Sequence, residues 1–242
     1  MSDHHKLWQS IAITTAFVAV LWWIQLASWL WGLQLRWLGV IPGTFHGLIG
    51  IVTAPLIHGS FEHLLANTLP LLILGSFLLY GYPRSRWWVL AVIWLGSGLG
   101  VWLTARSASH FGASGVAHGL MFFLFVVGLL RRDKRAIALA MLTFFLYGSM
   151  VWGIFPSKPG ISWESHFWGA VMGTFCALLF FRADPYPASK RYSWDGETGD
   201  EEEDPIIGDL WAHSRQPEEP ARFEESSSEV DEDEDGFPPS RE

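Results

Sequence analysis

The chain has 242 residues, a formal net charge of −8, 50% hydrophobic residues and 17% charged ones. Those totals merge two unlike stretches: residues 183–242 hold 20 Asp and Glu against 5 Lys and Arg, whereas residues 1–182 hold 4 acidic and 11 basic residues. So few charges in residues 1–182 exclude an ordinary soluble domain there, and the lack of a dense basic patch excludes nucleic acid as a partner. Cys176 is the single cysteine, so neither an intramolecular disulfide nor a cysteine zinc cluster can form. It is expected to pack as a small buried apolar residue.

A helix crosses a bilayer with about 20 mostly apolar residues. Six stretches qualify, near 8–31, 63–81, 87–105, 114–130, 136–155 and 165–181. They predict an all-α, six-transmembrane-helix bundle over residues 1–182. The acidic tail, 183–242, has long charge runs and few apolar residues, a composition that predicts disorder. The first stretch is too long, and too rich in Trp at both ends, for a cleaved signal peptide, and is read as a retained span. With the N-terminus inside, the inner segments carry ten Lys and Arg, the outer ones only Arg36, Arg106 and Lys158. This asymmetry places both termini in the cytoplasm of a multi-pass cell-membrane protein. Trp22-Trp23, Trp87-Trp88, Trp29, Trp31, Trp37, Trp152 and Trp163 fall where headgroup anchors are expected.

Two connections are unusual. The first external one, 32–62, contains the apolar run from Phe45 to Val52, too short to cross and too apolar to float free. A partly inserted or interfacial hairpin is expected there. The connection 101–113 is short and rich in Ser and Gly, which suits a loop dropping back into the protein body. Gly96-Ser97-Gly98-Leu99-Gly100 has the wrong spacing for a dinucleotide fingerprint and reads as close helix packing.

Polar groups within spans are costly and point to function. Three groups occur: His58, His63 and Asn67 entering the second span; Gly112, Ser114, Gly115 and His118 entering the fourth; His166, Gly169 and Gly173 opening the sixth. His63 and Asn67 are four residues apart and share a helix face, as do Ser114 and His118. Ser114 falls in the first turn, where backbone N–H groups are free. All three groups lie at the external ends of their helices in the orientation above. Gly169 and Gly173 form a smooth surface that lets another helix approach closely, which can bring His166 against Ser114. A hydroxyl with a base at about 2.6–3.2 Å is an activated nucleophile. His63, the Asn67 amide and the Ser114 N–H can supply donors for an oxyanion. Glu164 is the one carboxylate near His166 and is expected to face the external interface, so a Ser–His dyad is simpler than a triad. His4, His5 and His46 have no partners at metal-ligand spacing, and neither a metal nor another cofactor is expected.

At these residues the chain resembles the rhomboid intramembrane serine proteases, over roughly residues 35–182. The likeness rests on His58…His63…Asn67, on Gly112-Ala113-Ser114-Gly115, and on His166-x-x-Gly169-x-x-x-Gly173, in that order and on those helices. It implies Ser114 as nucleophile, His166 as general base, and His63 with Asn67 as oxyanion donors. It implies a structural or hydration role for His58 near the mouth of the site. His118 occupies a position where many members carry a Tyr stacked on the catalytic His. One departure is evident: where members often carry Trp-Arg in the first external loop, this chain has Ile49-Gly50, which bears on the loop's conformation. The implied partners are transmembrane-protein substrates and the lipid bilayer. A cytoplasmic partner for the tail would dock on Ile206-Ile207-Gly208-Asp209-Leu210-Trp211. The alternative is a non-catalytic rhomboid-like binder of membrane-protein clients. A transporter would need buried charges along several spans, which these spans lack.

Overall fold

The computed structural model describes residues 3–156 and 160–186. Among them are α1 (Asp3–Leu30), α2 (Gly50–Thr53), α3 (Phe61–Gly81), α4 (Arg86–Thr104), α5 (Ser114–Arg131), α6 (Lys134–Tyr147) and α7 (Trp163–Phe180). Short 3-10 turns at Leu35–Leu38, His46–Leu48, Ala54–Leu56 and Gly148–Ile154 fill the connections. No strand forms among the described residues; a lone antiparallel bridge joins Val40 to His110. The fold is therefore all-α, as the apolar runs predict.

Local chemistry sets the helix starts. The Ser60 hydroxyl accepts from the His63 N–H at 3.1 Å and caps α3. Asp133 caps α6 by accepting from the N–H groups of Arg135 and Ala136, at 3.1 and 3.0 Å. Pro70 sits inside α3 and has no N–H, which leaves the Ala66 carbonyl without its helical donor. The core centres on α5, whose Phe123, Leu124 and Val127 are fully enclosed. Cys176 is buried in the same cluster.

Among the described residues, five helical stretches are long and apolar enough to cross a membrane: α1, α3, α4, α5 and Lys134–Ile154. The sequence reading expects a sixth. α7 has the same 18 residues as α5, but Glu164, Ser165 and His166 in its opening turn dilute its apolar character. Most Trp residues expected as anchors are exposed, among them Trp23, Trp29, Trp31, Trp37, Trp87, Trp88 and Trp152. Trp22 differs: its indole N–H donates to Thr68 at 3.0 Å, joining α1 to α3.

The first connection does not float. The Trp94 and Trp102 indoles donate to the carbonyls of Val52 and Thr44, at 3.0 and 2.8 Å, and tie it to α4. At Gly50 a β-carbon would strike the backbone of Gly39 and Val40. The loop thus has no room for a larger residue at the second position of Ile49-Gly50. In α4, added β-carbons at Gly96 and Gly100 would strike Met172 and Trp168 of α7, and one at Gly98 would strike Ile51. Close packing is therefore what this glycine run does.

At the end of the bundle away from Ser114, the packed body continues past the boundary at residue 183. The Asp184 carboxylate accepts from the Arg84 N–H at 2.6 Å and the Ser85 hydroxyl at 2.5 Å. Arg131, its side chain 3% exposed, pairs with Asp133 at 2.7 Å. It also donates to the carbonyls of Phe181, Asp184 and Pro185 and lies over the Tyr186 ring at 4.4 Å. The remainder of the tail, including the 206–211 segment, lies outside the described residues. A chain ending at Arg182 should lose about 2 kcal/mol relative to one ending at Tyr186, from buried groups left unpaired. That corresponds to a Tm about 4–8 °C lower in a thermal melt; equal melting temperatures would show that the Asp184 contacts contribute nothing.

Candidate active site

Glycine brings two helices into backbone contact. An added β-carbon at Gly169 would lie 2.0 Å from the Gly115 carbonyl oxygen, and one at Gly173 would lie 2.1 Å from that of Gly119. α5 and α7 therefore run side by side with no side chains between their axes, and both begin at the same end of the bundle. Gly119 belongs to this seam although it stands outside the residues singled out in the sequence. Its four-residue spacing from Gly115 is the signal that could have found it.

The seam sets Ser114 and His166 together: the Ser114 hydroxyl lies 2.9 Å from His166 Nε2. His166 Nδ1 lies 2.9 Å from the Gly153 carbonyl oxygen. A carbonyl only accepts, so Nδ1 carries the proton and Nε2 presents its lone pair to the serine O–H. His118 lies flat against His166, centroids 4.0 Å apart and planes 7° apart. Its own nitrogens face the carbonyls of Ser114 at 2.7 Å and Met150 at 3.1 Å. A neutral ring can donate to just one of them. Gly153 is pressed against both rings: an added β-carbon would lie 2.8 Å from His118 Nε2 and 3.3 Å from His166 Nδ1. Sequence reasoning missed Gly153 because nothing in Val151-Trp152-Gly153-Ile154 links it to a histidine 13 residues later.

Gly112 has φ +114°, a backbone conformation suited to glycine, and an added β-carbon there would meet the His63 ring at 2.6 Å. This places His63 beside the turn that presents Ser114. Asn67 donates through Nδ2 to the His63 carbonyl at 3.1 Å and keeps a second amide hydrogen. His63, Asn67, Ser114, His118 and His166 all line one cavity of about 630 Å³, which Pro70, Tyr147 and Met150 also border. His58 packs edge-on against His63, centroids 5.1 Å apart, and its Nε2 faces the Ala113 N–H at 3.4 Å. It lies in the connection before α3. Burial, and secondarily the neighbouring His63, lower its pKa to about 4, so it is neutral near pH 7 and can accept that N–H. His58 does not border the cavity that holds the dyad.

A second polar cluster supports the first. Glu164, expected at the external interface, is instead buried, 4% exposed. Its Oε1 pairs with Arg106 at 3.4 Å, Oε2 has no partner, and it makes no hydrogen bond to His166. The neighbouring Ile161 carbonyl also holds Arg106, at 2.7 Å. His110 donates from Nε2 to the Arg106 carbonyl at 3.0 Å, and its Nδ1 meets the Ser162 hydroxyl at 2.6 Å. Ser165 completes the chain through Ser162 at 2.7 Å. The connection before Ser114 does turn back into the body: Val40 and His110 exchange both backbone hydrogen bonds, and the Gly112 N–H donates to Ala54 at 2.9 Å. The loop that presents Ser114 and the turn that presents His166 are thereby clamped together.

The rhomboid domain family model matches residues 45–183. The uncharacterized protein Rv1337 of Mycobacterium tuberculosis is 40% identical over 173 residues, which cover 67% of this chain and 72% of that protein. The uncharacterized protein Mb1372 of Mycobacterium bovis matches to the same extent. The uncharacterized protein ML1171 of Mycobacterium leprae is 38% identical over 142 residues, 54% of this chain and 56% of that protein.

The contacts at Gly153 make it a sensitive position. Gly153→Ala should force both imidazoles to shift and slow labelling of Ser114 by a fluorophosphonate about tenfold, the scale of roughly 1.4 kcal/mol. A time course of in-gel fluorescence measures it. An unchanged rate would mean that the turn yields without moving His166.

Proposed function

The chain belongs to the rhomboid family, and on that premise we propose that it is an intramembrane serine endopeptidase. Its substrates are transmembrane proteins, cleaved in or beside a membrane-spanning segment. The observation that carries this reading is the 2.9 Å contact between Ser114 and a His166 whose other nitrogen is committed to the Gly153 carbonyl. In this proposal the protein spans the cell membrane six times, with α7 as the sixth span, and both termini lie in the cytoplasm.

His166 Nε2 takes the hydroxyl proton as Ser114 Oγ adds to the substrate carbonyl carbon. Negative charge then develops on the former carbonyl oxygen, where His63, the Asn67 amide and the Ser114 N–H act as donors. The Ser114 N–H is free because it opens α5 and has no helical acceptor. His166 returns the proton to the leaving nitrogen as the C–N bond breaks, leaving an acyl-enzyme. Water, deprotonated by the same nitrogen, hydrolyses the ester. Where a carboxylate triad would stabilise the imidazolium with a full charge, this dyad uses a carbonyl dipole and a stacked ring. A peptide bond inside a regular helix is shielded, so substrate segments with Gly, Pro or other weak helix formers are favoured.

General base catalysis contributes typically 10²–10⁴-fold and one oxyanion donor about 10²–10³. Purified protein in liposomes should cleave a single-span test substrate. Ser114→Ala and His166→Ala should each abolish cleavage, and Asn67→Ala should lower kcat roughly 10²-fold with little change in KM. Cleavage undiminished in Ser114→Ala would sink the proposal. A protein that neither cleaves nor reacts with a fluorophosphonate would instead be a non-catalytic binder of membrane-protein clients.

A further inference from the structure

Far from the dyad, the bundle holds a second cavity of about 400 Å³. α1 packs on α3, while α4 packs on α5 and α7. This leaves a groove between α1 and α4, floored by Val116 and Leu120 of α5. Phe17 and Trp94 reach across it, ring centroids 5.9 Å apart. The one hydroxyl in its wall, that of Thr14, is already satisfied by Ser76 at 2.8 Å and by the Ser10 carbonyl at 3.0 Å. The groove therefore offers a ligand almost nothing but carbon.

In a bilayer such a groove favours a hydrocarbon chain, because an empty one forfeits dispersion contacts along its walls. A chain arriving from the surrounding lipid gains no hydrophobic energy, however, since lipid tails are as apolar as the lining. Any preference among lipids must come from the headgroup. At the end of the groove, Leu79 and Trp87 form the wall, and Arg86 touches both. Its Nη1 donates to the Leu79 carbonyl at 3.0 Å, and its guanidinium carbon lies 5.4 Å from the Trp87 ring centroid. Arg86 Nε is buried without a partner, and no ion pair to Arg86 forms among the described residues. Asp184, which binds the adjoining Arg84 N–H, is engaged there and by the Ser85 hydroxyl. With Nε enclosed and Nη1 engaged, the outer edge of the guanidinium, beside the two wall residues at this end of the groove, is what Arg86 offers to a phosphate joined to an acyl chain.

We propose that this groove binds one acyl chain of an anionic phospholipid and that Arg86 holds the lipid's phosphate end. The site is separate from the Ser114–His166 cavity and stands whether or not the dyad is active. Native mass spectrometry of the full-length protein, offered phosphatidylglycerol or phosphatidylcholine with identical chains, tests it. The wild-type protein should retain one phosphatidylglycerol with about a tenfold preference. Arg86→Gln should reduce that preference to less than about twofold, because phosphatidylglycerol loses more than phosphatidylcholine, whose choline already offsets the phosphate that Arg86 holds. Ala91 is exposed on the groove wall, so Ala91→Trp fills the groove without displacing a core side chain and should remove the retained lipid of either kind. Ala91→Phe provides a milder replacement if the Trp variant melts early, and circular dichroism checks that each variant is folded. Equal retention of both lipids by the wild type, an Arg86→Gln preference equal to wild type, or an adduct that survives a filled groove would each overturn the proposal. So would a dimer of this chain that dissociates on Ala91→Trp, which would show a second copy seated in the groove.

Discussion

Two helices that touch through their backbones organise this molecule. α5 and α7 meet along Gly115, Gly119, Gly169 and Gly173, and added β-carbons at Gly169 and Gly173 would overlap the facing carbonyls. In a lipid environment the hydrophobic effect does not drive helices together, so close van der Waals contact between small residues has to. The same contact settles the position of Ser114 in the first turn of α5 and His166 in the first turn of α7. The packing and the Ser114–His166 contact thus rest on one set of absent side chains. A larger group in the seam would separate the helices and, with them, Ser114 from His166.

The histidines divide their work by what their second nitrogen meets. His166 has a carbonyl behind it and a hydroxyl in front, which selects the tautomer able to take a proton from serine. His118 is held between two carbonyls and offers its face to His166. His110 lies outside the dyad, in the clamp that includes Ser162 and Ser165. The three imidazoles thereby have three distinct environments. The difference comes from backbone carbonyls and not from ionised partners, which suits a site that must stay inexpensive to embed in an apolar bundle.

The two ends of the bundle solve the problem of polar groups differently. At the Ser114 end, most face a cavity or satisfy one another across the loop–helix clamp, with Glu164 Oε2 left unpaired. At the far end, Arg131 is enclosed by carbonyls, Asp133 and the Tyr186 ring, and Asp184 fastens the chain after α7 to the start of α4. A composition boundary at residue 183 misses this, because acidic residues are counted alike whether they are solvated or buried. Asp184 belongs to the packed body by its contacts, though its sequence neighbours beyond Tyr186 belong to the acidic stretch.

Much of this was legible in the amino-acid sequence: apolar runs that make an all-helical bundle, and polar groups confined to the opening turns of particular helices. The three motifs around His63, Ser114 and His166 were legible too. Helix length, first-turn position and four-residue spacing are local quantities, set within a few turns of chain. The Gly153 carbonyl that orients His166, the burial of Glu164 against Arg106, and the lack of room at Gly50 were not. Each depends on a segment that returns from elsewhere in the chain to meet a particular atom, and no local pattern encodes that return. The sequence by itself determined which groups could carry the chemistry. The tertiary structure alone decided which nitrogen of His166 faces the serine, because that follows from the acceptor packed against its other side.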